Sequence, residues 1–132
     1  MDTLGLIIAV CVHGGNVQDR DGAKLVMARL GDRFPRLKLM WADGGYAGKL
    51  VEWVAVVFVW TLEIVKRCDD VAGFVVLPKR WIVERTFGWL GRYRRHSKDY
   101  EYLPESSEAM IRIAMINLMV HRLAPERRRQ RK

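Results

Sequence analysis

The sequence predicts an α/β domain with a mixed or parallel sheet, on three observations. Short β-rich apolar runs and helix-patterned segments alternate along the first half of the chain. Five Trp, four Phe and four Tyr, in a chain that is 50% hydrophobic, exclude disorder throughout. The length of 132 residues suits one domain, because compact domains run to about 100–150 residues.

Residues 4–12 are a short apolar run closed by His13-Gly14-Gly15-Asn16, and read as a buried strand. Asp19 and Asp21 open a helix through Leu30 as cap and first-turn acids, and Phe34-Pro35 breaks it. Leu37, Leu39 and Trp41 alternate with Lys38 and Met40 in a strand ending at Asp43. Gly44-Gly45 turns the chain into a short helix over residues 47–54. The β-branched run 56–66 predicts another buried strand, although no Gly, Pro or Asn separates it from that helix. Residues 73–78 carry a short apolar stretch and a turn. Helical periodicity spans residues 80–95, with Val83, Phe87 and Leu90 as the apolar stripe. After Pro104, residues 105–123 are apolar on nearly every side, and such a helix must be buried or paired. Residues 1–124 therefore form the domain. Residues 125–132 are a basic tail too polar to fold alone.

The longest apolar runs, 4–12 and 54–62, hold nine residues each, whereas a membrane-spanning helix needs about 20. Met1 is followed by Asp2 rather than a basic stretch, so no signal peptide is expected. Cys11 and Cys68 make neither a disulfide framework nor a metal knuckle. They read as free thiols in a reducing cytosol, and the expected location is cytoplasmic.

Charge is distributed unevenly. Residues 1–78 hold nine basic and nine acidic side chains, whereas residues 79–132 hold fourteen and six. The whole net charge of +8 thus lies in the last 54 residues. A one-sided basic region predicts a polyanionic partner such as nucleic acid, although a well-solvated surface would look the same.

Two carboxylates are candidates for chemistry. Asp43 ends a predicted strand before two glycines and a helix, at the sheet edge where open α/β folds bind ligands. It suits Mg²⁺ or Mn²⁺ as a hard oxygen ligand, although its position by itself favours a turn or cap role. Glu84 shares a helix face with Arg80, Gly88 and Arg92. Among Arg80, Arg85, Arg92, Arg94 and Arg95 it reads either as a metal ligand beside phosphate-binding cations or as the ion-pair partner of Arg80. Gly88 and Gly91 in a helix suggest close approach of something bulky. Trp81, Trp89 and Tyr93 interleave with these arginines and either stack on bases or pack the helix inward. His13, Asp19 and Asp21 match no metal-ligand spacing, and strand-end and cap roles explain them. The tail residues Arg127, Arg128, Arg129, Arg131 and Lys132 are a generic polyanion contact.

The blocks Trp41-Ala42-Asp43-Gly44-Gly45-Tyr46 and Trp81-Ile82-Val83-Glu84-Arg85-Thr86-Phe87, in that order, resemble bacterial insertion-sequence transposases. So do Asp2-Thr3-Leu4-Gly5-Leu6, Asn16-Val17-Gln18-Asp19-Arg20-Asp21-Gly22-Ala23 and Ser97-Lys98-Asp99-Tyr100-Glu101. More narrowly, the chain resembles the DDE enzymes of the insertion-sequence-five group, over nearly all of its length except the tail. The resemblance implies an RNase H-like mixed sheet flanked by helices. It also implies two Asp and one Glu binding two divalent ions, Mg²⁺ or Mn²⁺, with DNA (transposon ends and target) as partner. Asp43 matches the second acid, Glu84 the third, and Arg80 the arginine preceding the glutamate.

Several positions depart from that pattern. The first Asp falls upstream of Met1, so the first strands are expected to be missing. Leu77 stands where Tyr is usual and Gly91 where Lys is usual, with Arg92 beside it. The expectation is a C-terminal part of a catalytic domain, bacterial and nucleoid-associated, that cleaves and transfers DNA strands only with an upstream segment or a full-length transposase. The alternative is a non-catalytic DNA-binding or regulatory remnant.

Overall fold

The computed structural model describes residues 1–31, 33–65 and 79–124. Among these residues the fold is α/β: four α-helices, two short 3-10 turns and a two-stranded parallel sheet. Helix α1 spans Asp19–Leu30 and strand β1 spans Leu39–Asp43. The 3-10 turn Gly44–Tyr46 leads to α2, Lys49–Phe58, and β2, Thr61–Val65. Helix α3 is Arg80–Leu90, followed by a 3-10 turn at Arg94–His96 and by α4, Pro104–Leu123. The predicted turn at 73–78 and the basic tail lie outside the described residues.

A β-α-β crossover organises the first half. Strands β1 and β2 pair in parallel from Leu39 opposite Thr61 to Asp43 opposite Val65, which requires a crossover such as α2 between them. Side chains alternate, so one sheet face carries Met40, Ala42, Leu62 and Ile64 inward. Met27 and Leu30 of α1, Leu50 and Val54 of α2, Trp60 and Leu62 form the core cluster with them. Phe58 stacks on Trp60 at 4.5 Å, and Trp53 meets Phe58 edge-on at 5.5 Å. The other face presents Leu39, Trp41, Asp43, Thr61 and Glu63, all exposed.

Three element expectations need correction. Residues 4–12 are not a strand: they run as an irregular strap with Leu4 and Ile8 exposed. The strap's backbone groups bind side chains instead of a ladder. Leu4 O accepts from Arg85 Nη2 at 2.7 Å and Gly5 O from Thr86 Oγ1 at 2.7 Å, while Val12 N–H donates to Glu108 Oε1 at 3.1 Å. Gly5 is required there, because its φ is +79° and a Cβ would stand 2.8 Å from Thr86 Oγ1. The run 56–66 is divided: α2 continues to Phe58, and the strand begins only at Thr61. Val59 makes the turn itself, at φ 58° and ψ 30°, a left-handed conformation that β-branched residues rarely adopt. Finally, α3 stops at Leu90, capped by Gly91 N–H on Phe87 O at 2.8 Å, so Arg92, Arg94 and Arg95 lie beyond the helix.

The buried face of α3 also differs from the predicted stripe. Ile82 and Thr86 are buried, whereas Val83 and Phe87 are exposed at 41% and 64%. Thr86 donates to Gly5 O and so pins the strap to the helix. Helix α4 is held by Glu108, which is 4% exposed and joins α1 through Arg29. No described helix is long and apolar enough to cross a membrane.

Candidate active site and nucleic-acid interface

Asp43 sits at the carboxyl end of β1, on the exposed sheet face. Its Oδ1 accepts from Gly45 N–H at 2.9 Å, capping the 3-10 turn. Arg20 of α1 donates to Gly45 O at 2.9 Å and so ties the turn to the helix start. The Tyr46 phenol is pushed up from its ordinary pKa by burial and by the nearby Asp19 and Asp43 carboxylates. Asp19, Arg20, Asp43 and Tyr46 therefore share one end of the sheet. Arg20 and Tyr46 were not singled out from the sequence; the Gly44-Gly45-Tyr46 turn was the available signal.

Two residues back on the same strand face, Trp41 Nε1 donates to Glu63 Oε2 at 2.8 Å. Lys79 lies with its ammonium over the Trp41 ring. Lys79 is also the N-cap of α3, held at a left-handed φ of 65°. Trp41 thus clasps β2 on one side and the head of α3 on the other. Lys79, the residue before the helix bearing Glu84, is in side-chain contact with the strand bearing Asp43.

Glu84 is solvent-facing on α3, its side chain 66% exposed, and Oε1 accepts from Arg80 Nε at 3.0 Å. An exposed i,i+4 pair of this kind is worth only about 0.3–0.5 kcal/mol. A Cβ on Gly88 would meet nothing within 4 Å, so nothing among the described residues approaches this face closely.

The arginines divide into two groups. Arg85 is engaged inside the chain: its guanidinium lies 4.4 Å from the Trp81 ring and 4.8 Å from the Trp89 ring, and it donates to Leu4 O. Arg122 of α4 covers Trp89 at 4.2 Å. The result is an indole–guanidinium ladder, foreshadowed by the i,i+4 spacing of Trp81, Arg85 and Trp89. Arg80, Arg92, Arg94 and Arg95 are exposed. Arg95 binds Glu101 Oε1 through Nε at 2.9 Å and Nη2 at 2.6 Å. The loop from Arg92 to Lys98 is a basic rim beside a cleft of about 200 Å³, lined by residues such as Arg95, His96 and Lys98. Arg127, Arg128, Arg129, Arg131 and Lys132 lie outside the described residues.

Asp21 pairs with Lys24 at 3.0 Å, and His13 Nδ1 lies 3.1 Å from Gly14 O. No group of three or more His, Cys, Asp or Glu side chains that could hold a metal ion occurs among the described residues.

A family model for the transposase DDE domain matches residues 1–119. The chain belongs to the transposase DDE-domain family. Domains of this family are RNase H-like in general, generally use divalent metal ions, and have DNA as their partner. Comparison with curated proteins and with solved structures finds no match.

Proposed function

We propose that the chain is part of the catalytic domain of an insertion-sequence-five-type transposase, in which Asp43 and Glu84 are the second and third acids. Family membership over residues 1–119 carries this reading. The Trp41–Lys79 contact supports it, because it links the residue before the Glu84 helix to the Asp43 strand. The exposed cations Arg80, Arg92, Arg94 and Arg95 give the DNA backbone a positive surface, to which the tail arginines add.

The described residues do not by themselves fit a pair of Mg²⁺ or Mn²⁺ ions. Two-metal phosphoryl transfer holds its ions roughly 3.5–4 Å apart with several carboxylates. Among the described residues, no three ligating side chains converge. No catalytic step is therefore assigned to the described residues alone. The remaining acid then comes from outside the described residues. A second reading is a DNA-binding transposase derivative without catalysis.

Duplex DNA binding and plasmid nicking with Mg²⁺ test the proposal together. Salt-sensitive binding that persists in Asp43→Ala and Glu84→Ala, without nicking by the chain alone, is the expected result. Nicking restored by an added transposase supplying the upstream acid, and lost again in Asp43→Ala, separates the catalytic reading from the second one. Mg²⁺-dependent nicking by the isolated chain that disappears in Asp43→Ala would overturn the incomplete-site account.

A further inference from the structure

We infer that Arg20 is a phosphate-binding residue for DNA at the Asp43 end of the sheet, acting through the Nη1 and Nη2 groups of its guanidinium. The inference rests on the proposed function, which brings DNA to Asp43, and adds a residue outside the basic C-terminal region.

Arg20 is exposed in the first turn of α1, yet its side chain is anchored. Its Nε donates to Gly45 O at 2.9 Å, and Gly45 N–H donates to Asp43 Oδ1 at 2.9 Å. A single turn residue therefore joins the guanidinium to the candidate second acid. A guanidinium has five N–H donors, and only one of them is on Nε. No hydrogen bond or ion pair among the described residues uses the other four. Of the acids beside Arg20 in sequence, Asp21 is held by Lys24 at 3.0 Å, and Asp19 lies near Tyr46.

The other exposed arginines of the candidate site show why this arrangement matters. Arg80 commits Nε to Glu84, and Arg95 commits Nε and Nη2 to Glu101, so each has a carboxylate opposing its charge. Arg20 instead commits Nε to a neutral carbonyl and keeps its charge for another anion. The edge formed by Nη1 and Nη2 is a planar fork that matches two oxygens of one phosphate. Anchoring through Nε also removes part of the rotamer freedom that an exposed arginine would lose on binding. Asp19 and Asp43 make this end of the sheet repel a polyanion, and a fixed cation beside them offsets that repulsion. DNA is the partner of the family, so the two-oxygen group that reaches the fork is a backbone phosphate.

Salt dependence of binding to a short DNA duplex, measured without divalent metal, tests the assignment. Arg20→Gln should lower the slope of log affinity against log salt by about 0.9, the loss of one phosphate contact. Arg20→Lys should keep the slope but bind more weakly, because one ammonium cannot hold Gly45 O and fork a phosphate together. In the wild-type chain, the Arg20 Nε–H resonance should shift saturably as duplex is added. That readout stands even if Arg20→Gln misfolds. A purely structural arginine would lower the thermal midpoint in Arg20→Gln while leaving slope and resonance unmoved, and this result overturns the inference. If Arg92→Ala and Arg94→Ala lower the slope and Arg20→Gln does not, the inference fails while the DNA reading stands. A wild-type chain that binds no duplex overturns both.

Discussion

Removing the Glu108 carboxylate should detach α4 and the N-terminal strap from α1. The carboxylate accepts from Arg29 Nη1 at 2.7 Å, Arg112 Nη2 at 2.8 Å and Val12 N–H at 3.1 Å. Its side chain is only 5% exposed, whereas Arg29 and Arg112 are 43% and 54% exposed. Breaking a buried pair costs about 3–5 kcal/mol, and the two arginines here recover water. The estimate for Glu108→Ala is therefore about 3 kcal/mol, the lower end, or roughly 10 °C in melting temperature for a domain of this size. Burial alone would raise the Glu108 pKa, but the hydrogen bonds from Arg29 and Val12 and the charges of Arg29 and Arg112 together hold it below the ordinary value. A folded-state pKa below the unfolded one contributes stability that is present above the unfolded carboxyl, about 4.3. That stability is lost as pH falls through the depressed folded value. Urea unfolding of wild type and Glu108→Gln from neutral pH downward measures it. The gap between the two should be widest near neutrality and narrow in acid. Equal midpoints at neutral pH, or a gap independent of pH, would refute the reasoning.

Val59→Gly should stabilise the fold. Relief of a left-handed valine is worth about 1–2 kcal/mol, against about 0.5–1 for the freer unfolded glycine, and the 86% exposed side chain forfeits little packing; an unchanged or lower thermal midpoint would contradict this. Arg85→Ala should cost about 1–2 kcal/mol and alter the near-ultraviolet dichroism of Trp81 and Trp89, both measurable without DNA. Arg92→Ala and Arg94→Ala should each leave stability within about 0.5 kcal/mol. If each touches one phosphate, the salt slope of duplex binding should fall by about 0.9 per substitution.

Helix α1 was legible in the sequence because Asp19 and Asp21 mark its first turn and Phe34-Pro35 its end. Strand β1 was legible because Leu39, Trp41 and Asp43 alternate with inward residues, and this register places Asp43 at a strand end. The α2–β2 boundary was not, because turn prediction depends on Gly, Pro or Asn, and here a valine adopts the turn conformation under tertiary constraint. The strap was misread because an apolar run signals burial without specifying a hydrogen-bonding partner. Arg85, Thr86 and Glu108 supply those partners from 81 or more residues away. At the site, spacing placed Arg80 and Glu84 on one helix face, and they are paired there. The indole ladder required knowing that α4 brings Arg122 over Trp89.

The most direct test of the proposal that the site is incomplete follows the backbone amide signals of the full chain during Mn²⁺ titration with duplex DNA present. The account predicts no shared, saturable paramagnetic broadening of Gly44, Gly45 and Glu84. Broadening of all three together with one binding curve, lost in Asp43→Ala, would show a metal site complete within this chain and contradict the account.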